Sequence, residues 1–137
     1  MANEIQVNCS LSVTVGSLSY RSTPSSFVAD LGIVSGPTPG NVIVPTNYVS
    51  IPLGGLISLG GLCRLQNLDP VNYVDVGIWD GSSYLPIIEL MPGESYIVRL
   101  ARHLGEDAIG TGSIHPGLLY ARANTASVNL LVEAFSK

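Results

Sequence analysis

The segment Tyr73-Val74-Asp75-Val76-Gly77-Ile78-Trp79-Asp80-Gly81-Ser82-Ser83-Tyr84-Leu85-Pro86-Ile87-Ile88-Glu89-Leu90 places two apolar runs of strand length on either side of an Asp-Gly pair. Val74, Val76 and Ile78 alternate with Tyr73, Asp75, Gly77 and Trp79. That period of two sends successive side chains to opposite faces of a sheet. Asp-Gly reverses a chain readily, so the segment predicts an antiparallel hairpin with a loop of a few residues. Met91-Pro92-Gly93-Glu94 follows, with proline and glycine where a type II turn wants them, and the next strand is expected near Ser95.

The same alternation opens the chain. Ile5, Val7, Cys9, Leu11, Val13 and Val15 are interleaved with polar residues, which predicts one strand with an inward face, broken by Gly16-Ser17. Residues 18–20 resume an extended path. Residues 27–34, 42–44, 48–51, 62–68, 118–122 and 128–134 read as further strands. Residues 95–104 also match a helical face at Ile97, Leu100, Ala101 and Leu104, but the flanking turn and β-branched residues favour a strand. A short helical turn is expected over residues 102–109 and a loop over 110–117. Leu53-Gly54-Gly55-Leu56 recurs as Leu59-Gly60-Gly61-Leu62. Two copies are too few for a repeat architecture, so the tract reads as a glycine-kinked hairpin or a close backbone contact. With many short strands, fifteen glycines, nine prolines and no long helical pattern, the expected fold is all-β. It is an antiparallel β-sandwich or jelly-roll-like barrel, with residues 1–137 as a single β domain.

Charge is scarce. Six basic and ten acidic residues make up 12% of the chain, about half the usual share, and the Gly/Pro-rich tract 31–63 has none. Lys137 is the one lysine; the other positive charges are Arg21, Arg64, Arg99, Arg102 and Arg122. Arginine tolerates interfaces better than lysine because its planar fork bonds carboxylates and carbonyls at several points. A surface so poor in ions suits a homo-oligomeric subunit rather than a free monomer. The expected contact surface is Tyr48, Ile51, Leu53, Leu56, Ile57 and Leu59, with Arg99 and Arg102 beside it; burial in the core is the competing reading.

A net charge of −4 without a basic cluster argues against a nucleic-acid partner. Residues 48–65 are apolar enough to raise a membrane span, but Pro52 and two Gly-Gly pairs make a spanning helix untenable. Cys9 and Cys63 are too few for a disulfide framework, and the amino terminus lacks a secretion-signal pattern. Synthesis in the cytoplasm and free thiols are therefore expected, with a Cys9–Cys63 bridge as the alternative.

No catalytic constellation emerges, and neither a metal nor a cofactor is expected. His103 and His115 stand apart from any cysteine or carboxylate spacing of a metal site or triad, and Ser113 near His115 says little about geometry. Gly110-Thr111-Gly112-Ser113 lacks the lysine of a phosphate loop. Asp69, Asp75 and Asp80 lack the spacing of a calcium loop.

In the second half, Asn67-Leu68-Asp69, Asn72-Tyr73-Val74, Gly77, Leu90-Met91-Pro92-Gly93-Glu94, Arg99-Leu100 and Tyr120-Ala121-Arg122-Ala123-Asn124-Thr125-Ala126 together resemble small structural proteins of tailed bacteriophages. The likeness covers residues 67–135 and is one of turns and strand edges. It implies a virion component, a capsid cement or decoration protein made in the host bacterial cytoplasm. Such a protein binds the major capsid protein on the capsid exterior, commonly as a β-rich trimer. The trimer count comes from the likeness alone. A tail, baseplate or fibre structural subunit is the nearest alternative. Another is a carbohydrate-binding β-sandwich module, because Trp79 shares a strand face with Tyr73 while Tyr84 follows across the hairpin, and aromatic faces stack on sugar rings.

Overall fold

The computed structural model describes residues 4–31, 35–79, 82–102 and 119–137, and every regular element among them is a strand. Where the length fits one domain, the chain divides into two compact units, Met1–Gly32 and Ile33–Lys137.

The first unit is built from β1 (Ile5–Cys9), β2 (Ser12–Val15), β3 (Leu18–Arg21) and β4 (Ser25–Ala29). β2 and β3 form a hairpin around Gly16-Ser17, and β1 pairs antiparallel with β4. The strand expected over residues 5–15 is thus two strands with different partners. At the break the Ser22 N–H donates to the Leu11 carbonyl at 2.8 Å, while the Leu11 N–H donates to Ser22 Oγ, also at 2.8 Å. A hydroxyl there replaces a ladder carbonyl, and Pro24 has no N–H to carry the ladder on. The inward face is corrected as well. Of its six residues Val7 is buried, Ile5 and Val13 are half-buried, and Cys9, Leu11 and Val15 are exposed. A two-stranded ribbon has no second layer to bury them.

The second unit holds β5 (Thr38–Val44), β6 (Val49–Ser50), β7 (Leu62–Asn67), β8 (Val74–Trp79), β9 (Tyr84–Leu90), β10 (Ser95–Arg99), β11 (Leu119–Ala123) and β12 (Val128–Ala134). They make two antiparallel four-stranded sheets, in the orders β10-β7-β12-β5 and β6-β11-β8-β9. The fold is a β-sandwich, and neither sheet closes into a barrel. β12 shows why the sheets pack. Val128, Leu130, Val132 and Ala134 are fully or almost fully buried, and Leu65, Val74, Val76, Leu90 and Ala121 complete the core around them. Each fully buried branched side chain contributes about 1.5–3 kcal/mol.

Within the second unit every consecutive pair of strands except β8 and β9 lies in different sheets. The uncharged tract 51–61 is one of these crossings, carrying the chain from β6 to β7. Ile51, Leu53 and Leu59 therefore fill the space between layers, and Gly61 passes so close to Phe135 that a Cβ would fall on the Phe135 carbonyl oxygen. The close-contact reading of the repeated Leu-Gly-Gly-Leu thus holds at its second copy.

The hairpin over residues 73–90 forms with Trp79 opposite Tyr84, while Asp80-Gly81 lies outside the described residues. Met91–Glu94 closes as expected, with the Glu94 N–H on the Met91 carbonyl at 3.0 Å and Gly93 at φ +78°. β10 resolves the strand-or-helix ambiguity in favour of a strand ending at Arg99. The strand expected over residues 42–44 starts earlier, because Thr38, Pro39 and Gly40 already belong to β5 and pair with Ala134, Glu133 and Val132. Residues 32–34 of an expected strand, most of the helical turn at 102–109, and the loop 110–117 lie outside the described residues.

Candidate functional site

Alternation places Asp75, Gly77 and Trp79 of β8 on the face opposite the buried Val74 and Val76. Their strand neighbours share that outer face: Arg122 and Glu89 lie opposite Asp75, Tyr120 opposite Gly77, and Tyr84 opposite Trp79. Tyr48, two residues before Ser50, adds a fourth ring, since Ser50 pairs with Tyr120. The Tyr48 ring centroid is 5.3 Å from Trp79, 5.6 Å from Tyr84 in a stacked arrangement and 6.3 Å from Tyr120 edge-on, and Trp79 is 5.8 Å from Tyr120. Tyr48 is exposed and the other three rings are half-buried, so Tyr48 is the most accessible member.

Charge sits beside the rings. Arg122 reaches Asp75 Oδ2 at 3.3 Å, and its guanidinium carbon stands 5.9 Å from the Tyr84 ring centroid. Asp75 is buried, whereas Arg122 is exposed. The Tyr84 hydroxyl is buried with no hydrogen-bond partner among the described residues. Burial, and secondarily the Asp75 carboxylate, push its pKa up to about 12 against the opposing pull of Arg122. The register shifts between Val76 and Gly77, leaving Ile87 as an extra residue on β9. Gly77 is required at this bulge, because a Cβ there would fall on the Leu85 carbonyl. A bulge twists a sheet locally and re-aims the side chains beside it. The hairpin pattern points to Trp79 and Tyr84; Tyr48 and Tyr120 come from distant segments and carry no sequence signal that would join them. Tyr73 makes no ring contact with this group among the described residues.

A second feature lies in the first unit. Val13 lies opposite Tyr20 and Val15 opposite Leu18, so one face of the β2–β3 ribbon is apolar, while Ser12, Thr14, Ser19 and Arg21 make the other polar. Leu11, Val15, Leu18 and Tyr20 are 58%, 70%, 59% and 55% exposed. Where the ribbon meets β1 and β4, an open hollow of about 280 Å³ is lined by Asn8, Cys9, Ser10, Arg21, Pro24, Ser25 and Ser26. Cys9 is exposed, Cys63 is buried, and both are free thiols.

The expected contact surface divides. Ile51, Leu53 and Leu59 are buried core residues, and Leu56 packs against the same core. Their assignment to a contact surface is withdrawn, because the crossing between sheets needs them inside. Tyr48 and Ile57 are exposed. Arg99 donates to the Gly60 carbonyl at 2.7 Å, bracing β10 against the crossing segment. Arg102 is exposed. Exposed apolar residues also stand on strands whose outer edge is unpaired among the described residues: Ile43 on β5, Leu85 and Ile87 on β9, Tyr96 and Ile97 on β10.

The residues that carry the phage resemblance build a turn. Buried Asn67 donates from Nδ2 to the Asn72 and Leu90 carbonyls and accepts the Asp69 N–H. Asp69 Oδ1 accepts the N–H groups of Val71 and Asn72, at 2.8 and 2.6 Å, and these bonds hold its carboxyl below the usual carboxylate range. Thr125 Oγ1 donates to Asn72 Oδ1 at 2.6 Å, tying the β11–β12 connection to the same turn. This accounts for Asp69 as a structural residue.

His103, Ser113, His115 and the glycine-rich 110–113 lie outside the described residues, as does Asp80. Among the described residues no group of three or more His, Cys, Asp or Glu is placed to hold a metal ion, and no helix is long and apolar enough to cross a membrane. No protein-family model, curated protein or solved structure matches the chain.

Proposed function

We propose that the chain is a non-enzymatic structural subunit that forms a homo-oligomer and attaches to a larger protein shell. The resemblance to tailed-phage virion proteins makes that shell a capsid, with this chain as its cement or decoration subunit and a trimer as its form. The observation that carries the assembly reading is the β2–β3 ribbon, whose apolar face is more than half exposed at Leu11, Val15, Leu18 and Tyr20. Ribbons of two strands are marginal in water, and a patch of this kind is characteristic of contact surfaces. The partner is a second copy of the same ribbon: Glu4, Arg21 and Asp30 are the only charged residues of residues 1–32, so nothing repels self-association. A closed symmetric oligomer also covers such faces without leaving edges for open-ended growth.

The test is sedimentation of the full chain beside Leu18→Asp, with circular dichroism of both. The expected result is an oligomer for the parent chain and a folded monomer of 14.4 kDa for the variant. A monodisperse parent monomer at high concentration overturns the reading. Localisation by electron microscopy on intact particles then separates a capsid site from a tail, baseplate or fibre site.

A further inference from the structure

We propose that the outer face of the β6-β11-β8-β9 sheet binds a neutral saccharide through Tyr48, Trp79, Tyr84 and Tyr120, with Asp75 and Arg122 as its polar contacts. Four rings joined through Tyr48 and Trp79 by centroid distances of 5.3 to 6.3 Å are more than sheet packing requires on the side facing away from the core. Their accessible member, Tyr48, offers a flat apolar surface of the kind that the C–H face of a pyranose covers. Two further observations point to a ligand rich in hydroxyls. The Tyr84 hydroxyl is buried without a partner among the described residues, an arrangement that costs stability unless something bonds to it. A sugar hydroxyl both donates and accepts, so it satisfies a phenol in either sense. The Asp75–Arg122 pair, at 3.3 Å, sets an acceptor beside a multiple donor, a match for two adjacent hydroxyls of one ring.

A polyproline segment is the other ligand that aromatic faces take, but its prolines offer only carbonyl acceptors and leave the Asp75 carboxylate unused. An anionic ligand meets that same carboxylate. The neutral polyol is the chemistry that uses the Asp75 carboxylate, the Arg122 guanidinium and the Tyr84 hydroxyl together. The site is independent of the β2–β3 ribbon in sequence, so either proposal stands if the other fails.

Trp79 is the only tryptophan, which makes its emission a reporter of this face alone. The full chain is titrated with maltohexaose, cellohexaose and chitohexaose as probes, with octaproline in a parallel arm. The expected result is a saturable emission shift with at least one oligosaccharide. It weakens about tenfold or more in Tyr48→Ala, which removes the stacking ring, and about threefold to tenfold in Tyr84→Phe, which deletes one hydroxyl. Circular dichroism of both variants should match the parent, since Tyr48 is exposed and Phe keeps the Tyr84 ring. The proposal is overturned if no oligosaccharide shifts the emission, if octaproline does so in their place, or if the affinity survives either substitution unchanged.

Discussion

Asn67 is fully buried, yet each polar atom of its amide has a backbone partner. Removing it takes a partner from two carbonyls and one N–H, the contact to the Leu90 carbonyl being fully buried, so Asn67→Ala is expected to cost about 2–4 kcal/mol in urea unfolding. Its neighbour Asp69 sets the acid limb. The folded carboxyl titrates below its unfolded value, so its contribution is complete above the unfolded pKa and is lost as pH falls through the lower folded one. Asp69→Asn keeps the acceptor oxygen but does not titrate, and the urea midpoint should then fall less steeply in acid. Cys63 works in the opposite direction. Burial, with Glu133 second, pushes its thiol from 9.0 to about 12, so the folded state holds a proton that the unfolded chain releases. Its contribution to stability is therefore full below about pH 9 and declines toward pH 12. Cys63→Ala should flatten that alkaline decline, read from urea midpoints across the same range.

The crossing from β6 to β7 separates two kinds of apolar residue within a few positions. Ile51 has no exposure and Ile57 is 64% exposed, with its N–H on Ser136 Oγ at 3.0 Å. Ile51→Asp is expected to unfold the sandwich, because an unpaired carboxylate cannot be held in the core. Ile57→Asp should leave its thermal midpoint within a few degrees of the parent, and matching losses in the two variants would contradict this division. Hydropathy alone does not make the distinction: both residues sit in the same uncharged tract, and inward or outward facing is decided by where the chain changes sheets. The hairpin of β8 and β9, the turn at Met91–Glu94 and the alternation of β12 were legible, because each is encoded by neighbours in sequence. The first strand was legible in its pattern but not in its fate. Alternation at Val13 and Val15 specifies an apolar face, and only long-range pairing decides whether a second layer covers it. The aromatic face was half legible for the same reason, with Trp79 and Tyr84 joined by a hairpin but Tyr48 and Tyr120 delivered by strands from elsewhere.

Over the whole molecule ions are few, and among the described residues several are already engaged. Arg64 donates to Glu133 at 2.7 Å and to Gln66 across the outer face of one sheet, Arg122 pairs with Asp75, and Arg99 binds a carbonyl. An exposed pair such as Arg64–Glu133 contributes at most about 1 kcal/mol, so these contacts shape the surface more than they stabilise it. Much of the surface offered for association is apolar: the ribbon face in the first unit, and Ile43, Ile57, Ile87 and Ile97 in the second. The two driving forces respond to salt in opposite ways. Screening shortens the reach of charges to about 3 Å at 1 M, whereas burial of apolar surface is undiminished. Self-association should therefore persist when sodium chloride is raised from about 50 mM to 1 M, with sedimentation coefficients unchanged or slightly higher. Dissociation on adding salt would instead assign the contact to the arginines and carboxylates. The ribbon would then lose its role, since its apolar face contains no group that salt can screen.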